Sequence, residues 1–225
     1  MPSSHVYELH SWHHQSLTPE TAASDYRASL AAGGAAPWNI FAQTEGLREW
    51  GKQRELFIAR EAIALSSQQP GMEHEVIFDE ERQRFIKITL PGFYGNTVRL
   101  RPGSAGLAPA TPLDYLDRWM WSNELFEDEA QFLGLVDDAA GPRMVVSQPL
   151  VVGTRPERDE IVAFMAGLGF KPVCDTSLFF DVSRDLLVGD AHPGNFLRNA
   201  EGQVFAIDVL PLRAEGALLA HVIGC

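Results

Sequence analysis

The stretch "LLVGDAHPGNFLRNAEGQVFAIDVLP", residues 186–211, sets a histidine, two aspartates and an asparagine into short runs of strand-forming apolar sequence. Asp190 ends the run "LLVG", Asn195 lies five residues later across a Pro-Gly turn, and Asp208 closes the run "QVFAI", eighteen residues after Asp190. The runs "NFLRN" and "QVFAI" are joined by "AEG", so they predict a hairpin that folds Asp208 back beside Asn195. An amide and a carboxylate facing each other suit Mg²⁺, a hard cation that takes oxygen ligands and keeps several waters. Asp190 is left as a group that accepts a proton or orients a hydroxyl. A single aspartate before a turn is usually structural. A second aspartate and an amide at hairpin spacing make this stretch a functional site.

Working outward, the sequence alternates short β units with helices. "HEVIFDEERQRFIKITL", residues 74–90, reads as two strands around a polar "DEER" turn. The Gly- and Pro-rich "LPGFYGNTVRLRPGSAGLAPA" that follows reads as a loop. "TPLDYLDRWMWSNELF" then opens with Thr111 as N-cap, Pro112 at the first helical position and Asp114 in the first turn, which predicts a helix. Residues 131–153 read as a second hairpin, and "RPERDEIVAFMAGLGF" as a helix ending near Gly169. Upstream, "GLREWGKQRELFIAREAIAL", residues 46–65, carries apolar residues near helical spacing, interrupted by Gly51. "ASLAAGGAAP", residues 28–37, reads as a linker, and the residues before it, with His5, His10, His13 and His14, as a terminal arm with no acidic or thiol partner at metal-ligand spacing. The order is that of an α+β fold with antiparallel sheet.

Composition narrows the function classes. At 225 residues, 45% hydrophobic and 21% charged, the chain has the composition of a globular protein able to bury a core without staples. The N-terminus lacks a basic region followed by an apolar core, and no apolar run is long enough for a membrane span, so a cytoplasmic protein without a membrane partner is expected. The two cysteines, Cys174 and Cys225, form no C-x-x-C pair. A net charge of −12 opposes nucleic-acid binding, which needs a surplus of Lys and Arg to neutralise phosphates.

"GDAHPGNFL" and "FAID" together resemble the catalytic loop and metal-binding strand of the protein-kinase-like fold, in the form where "D-x-H-P-x-N" replaces "R-D-L-K-x-x-N". The nearest resemblance is to the Ser/Thr/Tyr kinase domain of polyvalent proteins carried by phages and conjugative elements, with aminoglycoside phosphotransferases more distant. It implies a minimal bilobal fold: residues 1–45 an arm and linker, 46–147 a helix and an N-lobe with an antiparallel sheet, and 148–225 a hinge and an abbreviated C-lobe. It also implies ATP and Mg²⁺ as cofactors, and a protein or small-molecule hydroxyl as acceptor.

Carried onto this sequence, the resemblance makes Asp190 the base and Asn195 and Asp208 the Mg²⁺ ligands. His192 falls where many kinases place a lysine near the transferred phosphate, or supports the loop as a neutral imidazole. Lys87, in "RFIKIT", becomes the lysine that holds the α- and β-phosphates, paired with Glu124 or Glu127, of which Glu124 is preferred. Gly71 stands alone where kinases carry G-x-G-x-x-G, followed by Met72, Glu73 and Glu75, which crowd the backbone and add negative charge. Gln148 and Leu150, in "VVSQPL", offer backbone groups to adenine. "DVL" replaces D-F-G, and seventeen residues follow Asp208, too few for an activation segment and a helical subdomain. These departures support a second reading, a pseudokinase or nucleotide-binding module. A metallophosphatase needs further His and Asp clusters downstream, and a nucleophilic hydrolase needs a G-x-S-x-G elbow that this sequence lacks.

Overall fold

A computed structural model describes residues 16–34, 39–59, 71–173 and 177–225. The four N-terminal histidines, Cys174 and the predicted helical residues 60–65 lie outside them. The described helices are α1 (Pro19–Ala32), α2 (Ile40–Gln53), α3 (Pro112–Phe126), α4 (Arg158–Gly167) and α5 (Gly216–Ile223). The strands are β1 (His74–Asp79), β2 (Arg84–Thr89), β3 (Asn96–Arg101), β4 (Ser104–Pro109), β5 (Gln131–Val136), β6 (Arg143–Pro149), β7 (Lys171–Pro172), β8 (Phe179–Asp181), β9 (Leu186–Gly189), β10 (Phe196–Arg198), β11 (Val204–Ala206) and β12 (Leu210–Arg213). All the strand pairs described here are antiparallel. The chain is thus a mixed α and β protein, and among the described residues no helix is long and apolar enough to cross a membrane.

The chain divides into two units. The first takes the chain up to Gly95 with Pro109–Met120 and Glu129–Leu150. Its sheet runs β1-β2-β6-β5. One face, with Ile77, Ile86, Ile88, Leu133, Val136 and Val145, makes a small apolar cluster. The other, with Phe132, Met144 and Val146, packs against Leu47 and Trp50 of α2, Tyr26 of α1 and Tyr115 and Trp119 of α3. The expected β1–β2 hairpin forms, Asp79 pairing Arg84, and the Asp79 carboxylate accepts the turn N–H groups of Glu81 and Arg82, each at 3.1 Å. The predicted cap of α3 also forms: the Asp114 N–H donates to Thr111 Oγ1 at 3.2 Å, and the Thr111 N–H to the Asp114 carboxylate at 2.8 Å.

Three readings are corrected. Residues 19–32 are a helix, not arm and linker: Thr18 caps it, Pro19 opens it, and the alanines of "ASLAA" are the strongest helix formers rather than spacer. The helix expected from Gly46 spans Ile40–Gln53, because the Asn39 side chain accepts the N–H groups of Phe41 and Ala42 and so starts it earlier. The predicted loop at 90–110 holds the β3–β4 hairpin, whose two-residue turn is Pro102–Gly103. The residues after Asp208, which the sequence left unassigned, include strand β12, paired with β9.

The second unit comprises Asn96–Ala108, Trp121–Asp128 and Val151–Cys225. Its main sheet runs β12-β9-β8-β7, and β10 and β11 form a separate hairpin. Phe179, Leu186, Val188, Phe196 and Ala206 pack with Ile161 and Met165 of α4 in one cluster. Val98, Phe180, Leu187 and Leu218 make a second. The strand that delivers Asp190 is therefore buried on both faces.

Candidate active site

β9 is buried throughout and ends at Gly189, where an added Cβ would lie 2.3 Å from Val98 Cγ2. Only glycine allows β3 to press so closely behind the site. The next residue, Asp190, has φ of 54°, the left-handed region that non-glycine residues rarely occupy. Such a conformation persists where its surroundings fix it, and it turns the aspartate out of the strand line. Its flanking peptide is held by hydrogen bonds: the Ala191 N–H donates to the Ser177 carbonyl at 2.9 Å, the His192 N–H to the Asp190 carbonyl at 3.0 Å. On the other side, Arg158 Nη1 donates to the Ala191 carbonyl at 2.8 Å.

Pro193–Asn195 form a short 3₁₀ turn that His192 caps, Nδ1 accepting the Gly194 N–H at 3.0 Å. In the neutral ring the proton must then sit on Nε2, which faces Asp190 Oδ1 at 3.6 Å. The His192 ring is thereby tied to its own loop. Asn195 Nδ2 donates both to the Asp190 carbonyl and to Asp190 Oδ2, each at 2.9 Å. Because both partners are acceptors only, they fix the amide orientation. The Asn195 side-chain oxygen is therefore turned away from Asp190.

The hairpin brings the fourth residue in. Phe196 pairs Ala206, and the Ile207 N–H donates to the Asn195 carbonyl at 3.0 Å. Three residues after Ile207 the chain joins β12, with Leu210 opposite Gly189. Asp208 thus lies between a chain tied to Asn195 and a chain tied to the residue before Asp190. Asp190, Asn195 and Asp208 are all half-buried. An Asp208 carboxylate and an Asn195 amide oxygen are oxygen donors, the chemistry that suits Mg²⁺ with bound waters rather than a transition metal wanting His or Cys. Among the described residues no three His, Cys, Asp or Glu side chains cluster as metal ligands.

The remaining predicted residues lie on other elements. Lys87 is buried in β2, on the face opposite Ile86 and Ile88, and its ammonium sits 5.1 Å from the Trp119 ring centroid on α3. Glu124 is exposed, about 140° around the helix from Trp119 at 100° per residue. Glu127 is exposed and follows the helix at φ of 55°. Gly71 is exposed and donates its N–H to the His74 carbonyl at 2.8 Å. Gln148 is buried in β6 opposite Phe85, and the Leu150 N–H donates to the Gln83 carbonyl at 2.8 Å.

The negative charge expected beside Gly71 is neutralised instead. Glu73 pairs with the buried Arg118 of α3 at 2.9 Å, and Glu75 with the buried Arg143 of β6 at 3.0 Å. Met72 is 94% exposed and crowds nothing. His74, between the two glutamates, is buried with Nε2 2.9 Å from the Tyr115 hydroxyl, a second tie from β1 to α3. Sequence reasoning missed these pairs because each joins residues more than forty positions apart. Removing one partner leaves a buried charge uncompensated. Arg118→Met should therefore cost about 3 kcal/mol in urea unfolding, and adding Glu73→Gln should recover most of it. No recovery in the double variant would show that Arg118 acts by packing.

Glu160 of α4 accepts the Glu157 N–H and pairs with Arg198 of β10 at 2.8 Å. The Glu157 N–H first, then Arg198, hold its carboxyl below the usual glutamate range. Thr154 and Arg198 exchange backbone hydrogen bonds of 3.0 and 2.7 Å, so the segment before α4 pairs with the edge of the β10–β11 hairpin.

A family model described as Serine/Threonine/Tyrosine Kinase found in polyvalent proteins matches residues 41–211. No curated protein and no solved structure shows significant similarity to the chain.

Proposed function

The chain belongs to the Ser/Thr/Tyr kinase family found in polyvalent proteins, and from that membership we propose that it is an ATP- and Mg²⁺-dependent phosphotransferase that moves a γ-phosphate onto a hydroxyl. A protein Ser, Thr or Tyr is the acceptor the family name favours, with a small-molecule hydroxyl as the alternative. The observation that carries this reading is the double hydrogen bond from Asn195 to the main chain and carboxylate of Asp190. It fixes the base and, with the same amide, turns an oxygen outward as a ligand. Phosphoryl transfer asks mainly for positioning and charge neutralisation, which such a site supplies.

In this reading the unit bearing Lys87 acts as the N-lobe and the unit bearing the Asp190 hairpin as the C-lobe. Asp190 takes the acceptor hydroxyl's hydrogen bond, and His192 steadies it. Asn195 and Asp208 would hold Mg²⁺, which supplies neutralisation of phosphate charge. Lys87 would bind the α- and β-phosphates, with Glu124 proposed to orient it. The backbone of Gln148 and Leu150 would meet adenine; since the Leu150 N–H is committed to Gln83, its carbonyl is the group on offer.

Asp208→Asn keeps the size of the side chain and removes its charge. Mg²⁺-dependent ADP affinity, read by calorimetry, is expected to fall about tenfold or more, the cost of one charged metal contact. Unchanged affinity would remove the metal role from Asp208.

One observation favours a second reading, a pseudokinase that binds nucleotide without transferring phosphate. The N–H groups of Gly71 and Leu150, two backbone donors a nucleotide would use, are bonded within the protein. Labelled ATP separates the two: transfer to the protein itself or to an acceptor supports the enzyme, and binding without transfer supports the pseudokinase.

A further inference from the structure

We infer that Arg158 is a positioning residue that holds the Asp190 loop in its working conformation, an inference that rests on the reading of Asp190 as the base. Arg158 is the first residue of α4. A cation there opposes the helix dipole, whose N-terminal end favours the anions found next, Asp159 and Glu160. Its side chain does not simply extend into solvent. The guanidinium lies 5.0 Å from the ring centroid of Phe179, a fully buried residue of β8, and Nη1 donates to the carbonyl of Ala191 at 2.8 Å.

Ala191 immediately follows Asp190, whose left-handed backbone is the least favourable conformation in the loop. Ala191 is held at three points: its N–H by the Ser177 carbonyl, its methyl by full burial, and its carbonyl by Arg158. Rotation of this segment would swing the Asp190 carboxylate off the Asn195 amide. Of the three restraints, only Arg158 is a side-chain donor reaching in from a helix. The planar guanidinium suits the task, because it stacks on an aromatic face while donating in its own plane, which a lysine ammonium cannot do.

Two variants and two readouts test this. In Arg158→Met the apolar stem still packs on Phe179 and the donor is lost; in Arg158→Lys one donor remains without stacking. Arg158→Met is expected to lower kcat about tenfold with KM for ATP within about twofold, below the hundredfold that a 1 Å misplacement can cost. Arg158→Lys should recover part of that loss. Hydrogen exchange, which needs no activity, should show the Ala191 and Asn195 amides exchanging faster in Arg158→Met, with the amides of β1, β2 and β6 unchanged. Equal acceleration across those strands, or an unchanged loop, would overturn the inference. If wild type transfers no phosphate while the loop still loosens selectively in Arg158→Met, the kinase reading fails and the positioning of the loop stands.

Discussion

Asp190→Asn is expected to leave the chain folded and to slow phosphoryl transfer about a hundredfold or more, the range for loss of a general base. The choice of asparagine follows from the backbone. At φ of 54°, Asn is among the few residues that tolerate the conformation, whereas Ala would add strain of its own. The new side-chain oxygen still accepts from Asn195 Nδ2, and the Asn195 bond to the residue 190 carbonyl is untouched. Only the negative charge and the proton-accepting capacity are lost. The rate should therefore fall with little change in nucleotide affinity, the reverse of Asp208→Asn. A variant that transfers phosphate at the wild-type rate would show that the hydroxyl is activated elsewhere.

Removing residues 1–38 is expected to unfold the first unit, although the family match begins only at residue 41. Helix α1 lies before the match, yet Ala22, Ala23, Tyr26 and Leu30 are part of the same core as Leu47, Trp50 and Phe132. Leu17 exchanges backbone hydrogen bonds of 2.9 and 3.0 Å with Phe132 on β5, an end strand of the sheet. Asp25 accepts from the indole of the buried Trp50 at 2.8 Å and pairs with Arg54. Burial of a large apolar side chain is worth about 2 kcal/mol. Losing Tyr26 and Leu30 and uncovering Trp50 and Phe132 therefore removes about 8 kcal/mol, comparable with the whole stability of a typical domain. Urea unfolding followed by tryptophan fluorescence should show no cooperative transition for the truncated unit. A midpoint equal to that of the full chain would make α1 dispensable.

The hairpin between Asn195 and Asp208 was legible in the sequence because it is local. Asn195 and Asp208 are connected through one short turn, and the alternation of "NFL" and "VFAI" leaves one register that keeps Phe196 and Ala206 inside. The cap of α3 was legible for the same reason, since Thr111 and Asp114 are three residues apart. What the sequence hid depends on distant partners or on residues whose usual signal points elsewhere. Pro211 argues against a strand, but β12 lies at the end of its sheet, where a missing N–H is tolerated. Pro102 and Gly103 signal a break, and the break is the turn of a hairpin. Glu73 and Glu75 read as charge against phosphate until Arg118 and Arg143 arrive from another helix and strand. Arg158 left one trace, a cation at the start of a helix.

In the proposed kinase, one hairpin assembles a base and a magnesium site. Mn²⁺ in place of Mg²⁺, added with ADP to the labelled full chain, tests it by paramagnetic broadening of backbone amide resonances. Selective broadening at Asn195 and residues 207–209, abolished by Asp208→Asn, is the predicted result. No broadening there, or the same broadening in Asp208→Asn, would contradict it.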